Sequence, residues 1–169
     1  MPTLILLRHA KTETDAVDDW HRQLTDRGRE QARSIGPRVA TVVGADDCTV
    51  LVSTALRAAQ TWEEVVPALK PGAVVRELPS LYTSDEDDIV RELREQAIET
   101  PTTVVIGHNP GISRLVYLLS GTELPNDDAV AKHGTLRTCR GAVLWFEGAW
   151  ADLTAGACTL KSTLAPDVD

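Results

Sequence analysis

The chain has 169 residues, a formal charge of −8 and an isoelectric point near 5.0, which allows one domain with a substantial core and leaves no room for two ordinary ones. The acidic balance argues against non-specific binding to nucleic acid or to an anionic membrane. No apolar run approaches the roughly 18 residues of a membrane span, and the first apolar stretch is shorter than a signal-peptide core. A cytoplasmic protein is therefore expected, and any anion site must be a local exception to its negative field. Cys48, Cys139 and Cys158 are odd in number, far apart and without metal-ligand spacing, so they read as reduced, buried thiols. A single domain is expected over residues 1–165, followed by a frayed tail over 166–169.

Thr3 to Leu7 is a short apolar run that ends in Arg8 and His9. Its length suits a buried strand of a parallel sheet better than a helix. Ligands of open parallel sheets bind beyond the carboxyl ends of the strands, where Arg8 and His9 would lie. Taken alone, the pair could equally be a solvated strand-end charge and a structural imidazole. A polar loop from Lys11 to Gln23 follows, carrying Lys11, Trp20, His21 and Arg22, and it is placed to form one wall of a site. Thr25 reads as a helix N-cap with Asp26 in the first turn. Ala32, Ile35, Val39 and Val42 mark that helix's buried face, and Gly36-Pro37 predicts a kink or a break.

Thr49 to Ser53 is a second strand, and the helical pattern after it puts Arg57 in a first turn beside a strand end. A third strand is expected around Ala73 to Arg76. Ser84 with Asp87 resembles a capping box that opens a helix to about Ala97. The acids at 85–88 are explained by that helix's dipole rather than by a metal. Thr103 to Gly107 repeats the first pattern and ends in His108-Asn109-Pro110-Gly111, with a further helix beyond. Residues 122–140 read as a polar connection with little regular structure, His133 being a surface histidine. Gly141 to Phe146 and about Trp150 to Leu160 read as closing antiparallel strands. The alternation of strands and helices predicts an α/β fold, a three-layer α/β/α sandwich with a mainly parallel central sheet and an antiparallel addition at the C-terminal end.

Arg8, His9, Arg57 and His108 would then converge on one rim of an acidic protein. Four independent structural explanations are a poor account of that convergence. An anion pocket containing imidazole is a better one. Arginine pairs bidentately with phosphate oxygens, and histidine adds a nucleophile or a proton carrier. No G-x-G-x-x-G turn or P-loop follows any strand, which argues against a dinucleotide site.

Four ordered blocks carry a resemblance: Leu6-Leu7-Arg8-His9-Ala10-Lys11, the stretch Leu24 to Ala32, the stretch Val52 to Thr61, and Val105-Ile106-Gly107-His108-Asn109-Pro110. Together they resemble the histidine phosphatase superfamily, which also contains the cofactor-dependent phosphoglycerate mutases. The short length and the Arg-His-Ala-Lys variant look most like the SixA-type phosphohistidine phosphatases. The resemblance implies that His9 accepts a phosphoryl group, which water then removes. Arg8, Arg57 and Arg22 would hold its oxygens, with His108 as a further donor and Lys11 and Asn109 at the substrate rim. It implies no metal and no cofactor. The implied partner is a phosphorylated protein or a small phosphorylated metabolite, and the enzyme would act as a monomer or weak homodimer. Many relatives carry a carboxylic acid near mid-chain that protonates the leaving oxygen. The stretch Glu77 to Ser84 has no recognisable version of it, which favours a phosphoramidate over a sugar phosphate. The alternatives are a small-metabolite phosphatase or mutase and, from another class, a non-catalytic phosphate- or phosphopeptide-binding module.

Overall fold

The computed structural model describes residues 1–69, 72–96 and 99–169. Its centre is a six-stranded sheet built from β1 (Thr3–Arg8), β2 (Cys48–Ser53), β3 (Val74–Leu78), β4 (Thr102–Gly107), β7 (Gly141–Phe146) and β8 (Cys158–Leu164). Between β4 and β7 a small hairpin, β5 (Ala131–Lys132) with β6 (Thr135–Leu136), stands apart from that sheet. The sheet order is β3-β2-β4-β1-β7-β8. β1, β2, β3 and β4 run parallel, and β7 pairs antiparallel with both β1 and β8. β2 and β4 are buried along their whole length because helices cover both faces.

The period of two divides each central strand between two cores. Leu4, Leu6, Leu51 and Val105 face α3 (Glu86–Glu95) and α4 (Gly111–Ser120). Ile5, Leu7, Val50, Val52, Val104 and Ile106 face α1 (Asp26–Val43) and α2 (Leu56–Val65). The result is the expected three-layer α/β/α sandwich, with its antiparallel addition on the β7 side.

Several local expectations are corrected. α1 runs through Gly36-Pro37 without a break. Gly36 lets α1 lie close on the following segment, where an added Cβ would meet the Ala68 Cβ at 3.0 Å, so packing holds the helix across a residue that alone would weaken it. The third strand begins at Val74 and extends to Leu78. α3 is capped by Asp85 with Asp88 rather than by Ser84 with Asp87, and Ala97, to which it was expected to extend, lies outside the described residues. The last strand starts at Cys158, because Trp150–Asp152 forms a 3-10 turn that buries Trp150. Ion pairs reach the terminal residues: Asp167 pairs with Arg38, and Asp169 meets the buried Arg140 as well as Arg137. Arginines on two segments, α1 and the connection before β7, give an acidic end something to bind.

All three cysteines are free and buried. Among the described residues no helix is long and apolar enough to cross a membrane.

Candidate active site

The sheet order explains the site. β4 lies between β1 and β2, so the carboxyl ends of three parallel strands stand side by side, with Arg8 in register with Gly107 and Val52 with Ile106. The next residues are His9, His108 and Ser53. The His9 N–H donates to the Gly107 carbonyl at 3.0 Å, and the His9 carbonyl accepts from Cys139 N–H at 2.9 Å. The backbone that carries the first histidine is thus fixed from both sides. The two imidazole rings lie with centroids 5.2 Å apart.

His9 is buried, and its Nδ1 lies 2.8 Å from the Ala10 carbonyl oxygen. A carbonyl only accepts, so Nδ1 carries the proton and Nε2 keeps its lone pair. Burial, helped by His108, Arg8 and Arg57, pushes the His9 pKa down to about 3. The ring is neutral at physiological pH, the state a nucleophile requires. His108 is also buried and held at about 4, by burial first and then by the Arg57 charge. Its Nε2 lies 2.8 Å from Ser53 Oγ.

The arginines crowd around these rings. Arg8 donates from Nη1 to the Leu136 carbonyl at 2.7 Å. Burial and the like charges of Arg22 and Arg57 lower its pKa. Guanidiniums that destabilise one another are relieved by an anion placed among them. Arg57, in the first turn of α2, is buried and donates from Nη1 to the Asp19 carbonyl at 2.7 Å and from Nη2 to its carboxylate at 3.0 Å. Arg22 donates from Nη1 to the same carboxylate at 3.2 Å and also binds Thr12 Oγ1 and the Glu13 carbonyl. The Nε atoms of Arg8 and Arg57 and the Nδ1 of His108 are buried with no partner among the described residues.

Arg8, His9, Arg22, Arg57 and His108 are therefore brought together, and the loop from Lys11 to Gln23 forms the expected wall. Lys11 opens that loop, two residues after His9. Its side chain is exposed, while its backbone ties the loop to α1 through Thr25 N–H at 3.0 Å and Gln31 Oε1 at 3.2 Å. Asn109 is a bracket: Nδ2 donates to the Leu136 carbonyl at 2.8 Å, and Oδ1 accepts from Ser113 Oγ at 2.6 Å. The segment expected to be an irregular connection is thus the hairpin that supplies Arg8 with its acceptor. His133 is exposed, as expected.

Four further residues are not singled out for a role by the sequence. Asp19 joins Arg57 to Arg22 and accepts from Tyr82 Oη at 2.8 Å; that bond and the two arginines hold its carboxyl at about 2. Trp20 packs edge-on against Tyr82 at 4.7 Å between centroids, and Tyr82 lies 6.0 Å from the His108 ring. Ser53 is the fourth. Asp19, Trp20 and Tyr82 lie outside strands and α-helices and, like Ser53 at the end of β2, acquire these roles only through tertiary contact. Among the described residues no three His, Cys, Asp or Glu side chains are grouped to hold a metal ion.

Comparison with known proteins agrees with this geometry. The family model of the histidine phosphatase superfamily (branch 1) matches residues 4–85. The uncharacterized protein ML1117 of Mycobacterium leprae is 31% identical over 165 residues, covering 95% of this chain and 99% of the relative. The SixA structure from Nakamurella multipartitia is 31% identical, with a TM-score of 0.82 over 98% of this chain and 96% of its own. The chain belongs to the histidine phosphatase superfamily. A structure of the protein histidine phosphatase SixA complexed with tungstate is also similar, 26% identical with a TM-score of 0.74 over 97% of each chain. Within the superfamily the fold is of the SixA kind, and the enzyme class is that of a phosphatase.

Proposed function

We propose that this histidine phosphatase acts on phosphohistidine in a protein, through a covalent phosphoryl group on His9. The observation that carries the reading is the bond from His9 Nδ1 to the Ala10 carbonyl at 2.8 Å, which leaves Nε2 as a neutral lone pair among guanidiniums. In the first step Nε2 forms a bond to phosphorus as the bond to the leaving nitrogen breaks, and the electron pair departs with that nitrogen. Arg8, Arg57 and Arg22 hold the nonbridging oxygens, and His108 donates to them. Water then attacks phosphorus, the Nε2–P bond breaks, and inorganic phosphate and neutral His9 are released. Phosphoryl transfer demands positioning and electrostatic stabilisation more than covalent help, and this pocket supplies both.

The leaving group follows from Asp19. This is the carboxylate that reaches into the cluster, and at about 2 it is ionised at neutral pH and has no proton to give. An alkoxide leaves poorly without one, whereas the imidazole of phosphohistidine leaves more easily. Lys11, exposed and two residues after His9, would add positive charge to the approach of a phosphorylated surface. Asn109 serves through Leu136 and Arg8. Buried free thiols suit a cytoplasmic setting.

The test is a set of hydrolysis rates for a phosphohistidine protein, an aryl phosphate and a panel of sugar phosphates and nucleotides, each beside His9→Ala. Phosphohistidine should be fastest, with every rate dependent on His9. Sugar-phosphate turnover far above the phosphohistidine rate would indicate a metabolite phosphatase or mutase. Tight phosphate binding without His9-dependent hydrolysis would indicate a binding module.

A further inference from the structure

Ser53 closes β2 and is fully buried. Its Oγ lies 2.8 Å from His108 Nε2 and accepts the Ala55 N–H at 3.3 Å. A hydroxyl has one proton to donate and two lone pairs. With Ala55 on one lone pair, the hydroxyl proton needs an acceptor, and among the described residues the one in reach is His108 Nε2. In the opposite arrangement Nε2 would carry the ring proton, Ser53 would accept twice, and its own proton would be buried without a partner. Each arrangement leaves one buried donor unpaired. A proton on Nδ1, however, lies in the cluster with Arg8 and Arg57, where an anion would pair it, whereas the Ser53 hydroxyl proton has, among the described residues, only His108 Nε2 to meet. His108 is neutral because burial and the Arg57 charge depress its pKa, so the ring has a single proton to place. If Nε2 accepts, that proton is on Nδ1, an atom buried with no partner, as are the Nε atoms of Arg8 and Arg57.

We infer that Ser53 is a positioning residue that fixes His108 as the Nδ1–H tautomer, so that the second histidine meets the phosphoryl group as a neutral hydrogen-bond donor. His9 and His108 then share a tautomer and differ in which nitrogen the protein consumes. Ala10 takes the proton of His9 and leaves a lone pair for phosphorus. Ser53 takes the lone pair of His108 and leaves a proton for an oxygen. A lone pair in that second position would repel the nonbridging oxygens through both steps. The inference rests on the phosphoryl-transfer reading, which supplies the anion that the Nδ1 proton meets, while the tautomer is measured independently of turnover.

The decisive experiment is two-bond ¹H–¹⁵N NMR of the histidine rings in the full-length protein without substrate near neutral pH, with His108 assigned by a His108→Gln variant. The expected spectrum shows His108 protonated at Nδ1. Ser53→Ala should shift His108 toward the Nε2–H form and lower kcat by about tenfold or more, with a smaller change in KM. Ser53→Thr, which keeps the hydroxyl, should restore both. An Nε2–H tautomer in the unaltered protein overturns the inference, as does a Ser53→Ala protein with unchanged tautomer or unchanged kcat. Should Ser53→Ala fail to fold, the unaltered spectrum alone decides. The Nδ1–H form in a protein that hydrolyses no phosphorylated substrate upholds the tautomer and overturns the phosphatase reading instead.

Discussion

Acidification should unfold this protein through its two site histidines, and replacing one of them should measurably blunt the effect. His9 is held at about 3 and His108 at about 4, whereas in the unfolded chain both titrate near 6.5. Above about pH 6.5 neither state binds the proton, and the histidines make stability independent of pH. Below it the unfolded chain takes up protons that the folded protein refuses, so the folded state loses about 1.4 kcal/mol per pH unit for each ring. The loss ends only when the pH falls through the folded values. Between about pH 6.5 and pH 5 the interval is about 1.5 units, giving about 2 kcal/mol for each histidine and about 4 kcal/mol for the pair. Urea unfolding at about pH 7.5 and about pH 5 measures this. His9→Gln should lose about 2 kcal/mol less than the unaltered protein over that range, because the carboxylate background is common to both. Equal losses would mean that His9 titrates near its ordinary value and is not the desolvated, neutral ring described above. The same depression predicts that phosphoryl transfer has no His9 titration near pH 6.5.

Other substitutions probe the cluster separately. Arg57→Ala removes two donors and frees Asp19, so single-turnover phosphorylation should slow about 100-fold or more. Arg57→Lys should recover little of that rate, since an ammonium cannot hold Asp19 and a phosphoryl oxygen as a planar fork does. At Gly28 an added Cβ would sit 2.0 Å from the Lys11 carbonyl oxygen, two residues from His9. Gly28→Ala should therefore cost more than about 3 kcal/mol in thermal or urea unfolding. Asn109→Ala cuts the tie to the Leu136 carbonyl and leaves the Ser113 hydroxyl proton without its acceptor. It should lower kcat about tenfold with a stability loss near 1 kcal/mol, read from kinetics and unfolding together.

The parts legible in the sequence are those governed by short-range rules. A five-residue apolar run that stops at Arg-His can be placed at a strand's carboxyl end without knowing the fold, and the recurrence at His108 and Arg57 makes one rim of three positions. A short, nearly continuous apolar run likewise identifies β1, β2 and β4, because a strand covered on both faces must be largely apolar. What escapes is decided by packing. Asp85 rather than Ser84 caps α3 because adjacent residues are nearly equivalent as caps and only the chain's entry angle separates them. β8 starts late because burial of Trp150 in a 3-10 turn outweighs the strand propensity around it. The hairpin at 131–136 has strands of two residues, too short for any period, yet its Leu136 carbonyl positions Arg8. Asp19 and Tyr82 are 63 residues apart and meet at 2.8 Å, a contact that no local pattern announces.

The central claim is that His9 carries the phosphoryl group on Nε2. It is tested most directly by incubating the protein with a phosphohistidine donor, quenching under conditions that preserve phosphohistidine, and mapping the label by mass spectrometry and ³¹P NMR. The account predicts one labile phosphoryl group on Nε2 of His9, absent from His9→Ala together with turnover. Label on another residue, with His9→Ala fully active, would contradict it.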